Sequence, residues 1–288
     1  MDWFQVIVGI FILGFGALKP LLFKPVAEKY DPNISSLFVS VWIIVAIVVS
    51  LPIMFVNFEN FVEVVRKNPY SLLAAIMKGG VVWGAVWSFQ IINKKSTSSS
   101  VFFPFISLGL ASLVMNLFFD EGLKVVHLMS IALLGILGGI FYFLGDAKRM
   151  NHSEKRMFFI AVLFAAGCSV FDHIGIKGMG WYPYLVISNV VMFLFVLKKG
   201  IVVDDVKKVF TQKEIVAAGV FNVCYEVLIL ACMVAIMPVS FVSFFMRLSA
   251  PLVMVLSAIK FKEQTIKNQL IFGCLAILLA LPIMFIPR

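Results

Sequence analysis

The chain has 288 residues, of which 62% are hydrophobic and only 14% charged, with a mean hydropathy of +1.05. Soluble domains hold roughly 45 to 50% apolar residues, so this balance excludes a water-soluble fold and predicts an integral membrane protein. The 24 Lys and Arg against 15 Asp and Glu fall mainly between apolar runs, where basic residues anchor spans to headgroups, and nucleic-acid binding is not expected.

Period-2 alternation is missing throughout, which speaks against a barrel. Helices remain, because every backbone N–H and C=O in hydrocarbon must be paired internally. Crossing about 30 Å of hydrocarbon takes about 20 residues. Ten stretches qualify in chain order: 3–23, 36–56, 70–92, 98–119, 125–145, 157–177, 182–197, 214–236, 240–260 and 267–286. The opening "MDWFQVIVGIF" lacks a basic n-region and is read as a retained first span. Two longer connections, "NFENFVEVVRKNP" (57–69) and "KKGIVVDDVKKVFTQ" (198–212), are amphipathic and suited to lying flat at the interface. Cys168, Cys224, Cys232 and Cys274 all fall inside apolar runs without a C-x-x-C pair. They read as small buried hydrophobes, and neither a metal site nor a cofactor is expected.

The amphipathic connections occupy matching places, which suggests an internal repeat. "SVFFPFISLG" (100–109) aligns with "VSFFMRLSAP" (242–251), and "FDEGLKVVHL" (119–128) with "FKEQTIKNQL" (261–270). "GFGALKPLLFK" (14–24) aligns with "GCSVFDHIGIK" (167–177), laying Gly14 on Gly167 and Lys24 on Lys177. The expected fold is an all-α integral membrane protein of ten transmembrane helices, built as two five-helix repeats, 1–145 and 146–288. An odd number of spans per repeat makes the second copy enter from the opposite side, the inverted plan of secondary transporters.

This pattern resembles the drug/metabolite transporter superfamily, specifically its EamA-type ten-span members. The resemblance is carried by the duplicated five-span unit, by Lys24 and Lys177 closing the first span of each half, and by a fourth-type span ending in Glu before "GLKVVHL" or "QTIKNQL". The family's proline in that span falls at Pro251 in the second half. The first half has Gly109 there, with Pro104 five residues earlier. The resemblance implies a central cavity lined by the first, third, fourth, sixth, eighth and ninth spans, and termini on the cytoplasmic side.

An ionisable residue inside a span is a functional candidate by default, because it is costly unless paired or hydrated. At about 1.5 Å per residue, Lys78 and Glu226 lie roughly 12 Å from the side that holds both termini. On the same measure Arg247 lies near 10 Å, and Asp172 with His173 near 7 Å. This layer draws on four spans, and two positive against two negative charges suit a zwitterion or a carboxylate. Glu226 paired with Arg247 or Lys78 would equally serve as a structural lock. Lys19 falls close to the opposite face, where a long side chain snorkels to the headgroups. Trp83, Trp87, Gln90 and Asn116 from the first half, and Asn222 and Tyr225 from the second, are candidate pocket residues. The two tryptophans share one helix face and Lys78 points about 140° to 180° away, so no Lys–Trp cation–π stack is implied within the span, and the tryptophans equally fit simple packing. His173 suits either proton relay or a helix contact. Glu121 and Glu263 sit before the fifth and tenth spans as caps or hinges.

Basic residues concentrate in the odd-numbered connections, which the positive-inside rule makes cytoplasmic, with both termini outside. That orientation is opposite to the one the resemblance implies. The expected function is a secondary transporter of a small polar metabolite, an amino acid or related zwitterion or carboxylate, by alternating access in the plasma (inner) membrane. The expected partners are that small molecule, the lipid bilayer and a coupling proton, with the chain acting as a monomer or homodimer. Carboxylate clusters such as D-D-x-x-D, metal-ligand His sets and a nucleophile beside a base are not evident, so an enzyme on a lipid-linked substrate is disfavoured. A non-transporting scaffold or regulatory subunit is the other alternative.

Overall fold

A computed structural model describes residues 3–56, 58–119, 122–144, 150–198, 203–235, 239–262 and 266–286. Among these residues there are twelve α-helices and no strand. The first six are α1 (Trp3–Lys29), α2 (Pro32–Val56), α3 (Phe58–Lys67), α4 (Pro69–Lys95), α5 (Thr97–Phe119) and α6 (Val125–Leu144). The second six are α7 (His152–Met179), α8 (Trp181–Lys198), α9 (Val203–Thr211), α10 (Lys213–Ala235), α11 (Val239–Phe261) and α12 (Ile266–Phe285). Eight of the helices, α1, α4 to α8, α11 and α12, are long and apolar enough to cross a membrane. The chain is therefore an all-helical multi-pass membrane protein.

The surface inverts the usual soluble arrangement. Leu117 and Phe118 are 77% and 72% exposed on the outside of α5, whereas Asn93 and Ser257 are fully buried. An apolar exterior around a partly polar interior is what lipid as solvent demands. The two amphipathic connections form the short helices α3 and α9. On α9, Val206 and Val209 pack inward while Asp204 and Lys207 are exposed. On α3, Val64 packs inward while Glu63, Arg66 and Lys67 are exposed.

Local signals explain the helix ends. Asn151 caps α7 through a reciprocal pair of bonds: its Oδ1 accepts from the Glu154 N–H at 2.9 Å, and Glu154 Oε2 accepts from the Asn151 N–H at 2.9 Å. The other end of α7 stops at Gly180, whose φ of 80° is open to glycine, and α8 begins at the next residue. Pro69 opens α4, where its missing N–H costs nothing. The prolines inside α1 do not end it, and the helix runs past the predicted boundary to Lys29.

α1 packs on α10 and α11, and α7 packs on α4 and α5; α2 lies against α10, and α8 against α4. These contacts exchange with one another when α1–α6 are substituted for α7–α12. α2 with α8, α5 with α11, and α6 with α12 pair across the same division. Small residues permit the closest approaches. A methyl at Gly84 would meet the Phe164 ring, and one at Gly79 would meet Val191 and the Ser188 carbonyl. Glu121, Glu263 and the expected repeat boundary at 145/146 lie outside the described residues.

Candidate functional site

A cavity of about 360 Å³ lies at the centre of the bundle, walled by α1, α2, α4, α5, α7, α8, α10 and α11. The family resemblance implied six of these helices; α2 and α8 add Val39 and Ile43, and Tyr184, Ser188 and Asn189. Helical periodicity explains which residues face it. On α1 the wall is Gly16, Lys19, Pro20 and Phe23, and on α10 it is Asn222, Tyr225, Glu226 and Ile229. On α7 it is Ala165, Cys168, Ser169 and Asp172. All three sets are spaced i, i+3, i+4, i+7, a single stripe of a 3.6-residue helix.

Two ion pairs cross this cavity wall. Lys19 of α1 donates to Glu226 of α10 at 3.0 Å. Lys78 of α4 donates to both carboxylate oxygens of Asp172 on α7, each at 2.7 Å. This pairing corrects the expectation that Glu226 would meet Arg247 or Lys78. It also corrects the reading of Lys19 as a snorkelling side chain. α1 continues ten residues beyond Lys19, about 15 Å, and the side chain is held on the cavity wall by Glu226 instead of extending along the helix exterior. Its ammonium lies over the Tyr225 ring, 5.0 Å from the centroid. Arg247 of α11 lines the same cavity, next to Met246, Ser249 and Ala250.

The other sequence candidates separate cleanly. Asn222 and Tyr225 are buried and line the cavity. His173 does not: one residue beyond Asp172 it is rotated by about 100°, off the cavity stripe and onto the exposed face of α7. Trp83 and Trp87 lie outside the lining too. Their rings stack 6.4 Å apart, and Trp83 stacks on Phe195 of α8 at 6.5 Å, which makes them packing residues. Gln90 is buried away from the cavity. Asn116 holds a loop instead, its Oδ1 accepting from the Leu123 N–H at 3.0 Å. Of the four cysteines only Cys232 is buried as expected. Cys224 and Cys274 are exposed, and Cys168 borders the cavity.

Polar groups cluster next to the cavity where α4 turns into α5. Asn93 donates to the Pro20 carbonyl at 3.1 Å, and its side-chain oxygen accepts from the Ser100 hydroxyl at 3.2 Å. The Ser98 and Ser257 hydroxyls meet at 2.9 Å, joining α5 to α11. Lys24, almost fully buried, donates to the Lys94 carbonyl at 3.1 Å, satisfying a carbonyl at the end of α4. Its repeat counterpart Lys177 is exposed. Elsewhere the buried His127 accepts from the Lys124 N–H at 2.9 Å through Nδ1, which leaves Nε2 to donate to the Ile286 carbonyl at 3.1 Å. His127 thus clips the start of α6 to the end of α12.

The fold and site together define a multi-pass helical membrane protein with a charged central cavity. No protein-family model matches the chain, and no curated protein matches it.

Proposed function

We propose that the protein is a secondary transporter for a small polar metabolite, working by alternating access between two inverted five-span halves of the drug/metabolite transporter type. The observation that carries this reading is the central cavity with two ion pairs on its wall, Lys19–Glu226 and Lys78–Asp172, each joining one half of the chain to the other. Charged groups at this depth are costly, and a substrate pathway is the commonest reason to keep them there. Duplication is supported by the equal lengths of α5 and α11, 23 residues each, and of α6 and α12, 20 residues each. The short helices α3 and α9 occupy corresponding places. In this reading α2 and α10, 25 and 23 residues long, complete the ten spans.

Helices of the two halves interleave around the cavity, α1 on α10 and α11 and α7 on α4 and α5, and these two packed groups can rock against each other, exposing the site to one side and then the other. Each ion pair lies within one of these groups and travels with it, and a coupling proton has two carboxylates on the wall to bind, Asp172 and Glu226. The test is counterflow in proteoliposomes: protein-dependent accumulation of a labelled metabolite against a preloaded pool, abolished by Asp172→Asn in a variant that still folds. A purified, folded protein that neither binds nor exchanges any member of a broad metabolite panel would instead favour the scaffold alternative.

A further inference from the structure

We infer that the cavity binds a nucleobase, a flat ring whose edge carries an N–H donor beside a hydrogen-bond acceptor, and that Asn222 reads that edge; the inference rests on the transporter reading and names its substrate class. Asn222 of α10 is 2% exposed and lines the cavity. Its amide has no hydrogen-bond partner among the described residues. Most other polar groups of the wall are engaged. Ser107, Ser169, Ser188 and Ser249 donate to carbonyls of their own helices, and the Asn189 amide donates to the Leu185 carbonyl at 2.9 Å. Lys19, Lys78, Asp172 and Glu226 are held in the two ion pairs. A buried amide left unpaired is costly, and a ligand that pairs it removes that cost.

Helix register places an aromatic surface beside this amide. α1 and α10 run antiparallel, joined by Lys19–Glu226 and, nearer the end of α1, by Lys29–Glu214. One turn from Lys19 toward Lys29 stands Phe23, and one turn from Glu226 toward Glu214 stands Asn222, so the two share a level of the wall. Phe23 meets Phe89 of α4 edge to face with centroids 5.9 Å apart, and Phe89 meets Phe103 of α5 in the same way at 6.5 Å. All three rings line the cavity, and aromatic walls favour a flat unsaturated ligand. The carboxamide of Asn222 holds a donor and an acceptor side by side in one plane. It can form two parallel bonds with a ring edge that does likewise, as asparagine does with adenine in nucleic-acid recognition. Purine and pyrimidine bases combine the ring with that edge; phenylalanine has the ring alone and glutamine the edge alone. At about 360 Å³ the cavity is at the lower end of ligand pockets, which suits a free base or a nucleoside.

The test is equilibrium dialysis of the full-length protein in detergent against radiolabelled uracil, uridine and adenosine. Each is set against an analogue whose ring-edge N–H donors are replaced by methyl groups: 1,3-dimethyluracil, 3-methyluridine and N6,N6-dimethyladenosine. At least one of the three binds, and its methylated analogue competes about tenfold more weakly or worse. Binding of uracil identifies the free base as ligand, and binding of uridine or adenosine alone identifies the nucleoside; either supports the inference. Asn222→Leu weakens binding by about tenfold and removes the preference over the methylated analogue, an effect that a merely structural asparagine would not produce. Phenylalanine and glutamine compete more weakly than the bound base.

Failure of all three compounds to bind at millimolar concentration, equal binding of the methylated analogues, or stronger competition by phenylalanine or glutamine overturns the inference. So does a preference that survives Asn222→Leu intact. If Asn222→Leu does not fold, the comparison of each base with its methylated analogue in the unaltered protein decides. Dialysis reads binding and needs no transport: base binding without counterflow would refute the transporter reading alone, and counterflow of another metabolite class without base binding would refute the ligand class alone.

Discussion

Lys19 and Asp172 occupy corresponding positions in α1 and α7 when Gly14 is laid on Gly167, yet they carry opposite charges and each is bound to a helix of the opposite half. Lys19 reaches Glu226 on α10, and Asp172 is reached by Lys78 on α4. Both cations of these bridges thus come from the first half of the chain and both carboxylates from the second. The bridges act as electrostatic clasps between halves, and their arrangement disfavours pairing a half with a copy of itself, since like charges would then meet.

The clasps are testable by charge exchange. Lys78→Gln should lower stability by roughly 1–3 kcal/mol, less than the 3–5 typical of fully dry pairs because this one borders the cavity. Lys78→Asp alone should be worse, and Lys78→Asp with Asp172→Lys should recover most of the loss. The Lys19→Glu and Glu226→Lys cycle should behave in the same way. Thermal melts in detergent measure the coupling energy, and strict additivity within either pair would show that the contact carries no stabilisation.

Three glycines of α1 should respond differently to the same methyl group. A Cβ at Gly9 would fall on the Phe245 ring, so Gly9→Ala should destabilise the α1–α11 contact by about 1–3 kcal/mol. At Gly16 it would lie 2.8 Å from the Ser249 hydroxyl and 3.2 Å from that of Tyr225, on the cavity wall. Gly16→Ala should therefore weaken ligand binding more than it lowers the melting temperature. Nothing lies within 4 Å of a Cβ at Gly14, and Gly14→Ala should be neutral or gain up to about 1 kcal/mol from helix propensity. A large loss at Gly14 would contradict the packing described.

The cap of α7 gives a smaller, local effect. Asn151→Ala removes the side-chain acceptor for the Glu154 N–H and should cost about 1 kcal/mol, or about 2–4 °C in Tm. Asn151→Ser should retain most of the stability. An unchanged Tm in the alanine variant would mean that the first turn of α7 is held by its packing alone.

The cysteines divide by solvent. Cys224 and Cys274 are exposed on helix exteriors and should react with membrane-permeant maleimides but resist charged ones in liposomes. Cys232, buried, should resist both until the protein is unfolded. Fast labelling of Cys274 by a charged reagent in sealed liposomes would show that this face of α12 meets water.

The helices were legible in the sequence because hydrocarbon thickness sets their length and charge runs mark their ends. α5 and α11 come out within one residue of the predicted starts and ends. The site was legible in depth but not in azimuth. Asp172 and His173 have nearly the same depth, but one turns into the cavity and the other away from it. Trp83 and Trp87, named as pocket candidates with Lys78, lie on the other face of α4, where they stack on each other and on Phe195. Lys19 was misread because a 20-residue span ended the first helix at residue 23, whereas α1 continues to Lys29. The polar face of α8 gave no charge signal at all; Ser188 and Asn189 look like ordinary residues of an apolar span until a cavity is placed beside them.

The polar cluster where α4 turns into α5 has the makings of a low-friction bearing. Its link between α5 and α11 is the Ser98–Ser257 hydroxyl pair, and Ser257 also donates to the Met254 carbonyl of its own helix at 2.9 Å, as the neighbouring Ser100 does to Thr97 at 2.8 Å. A hydroxyl rotor can pass its proton from one acceptor to another with only a bond rotation. Two helix surfaces studded with such rotors can slide a fraction of a turn without stranding a polar atom, a freedom that interlocked leucines in the same place would remove.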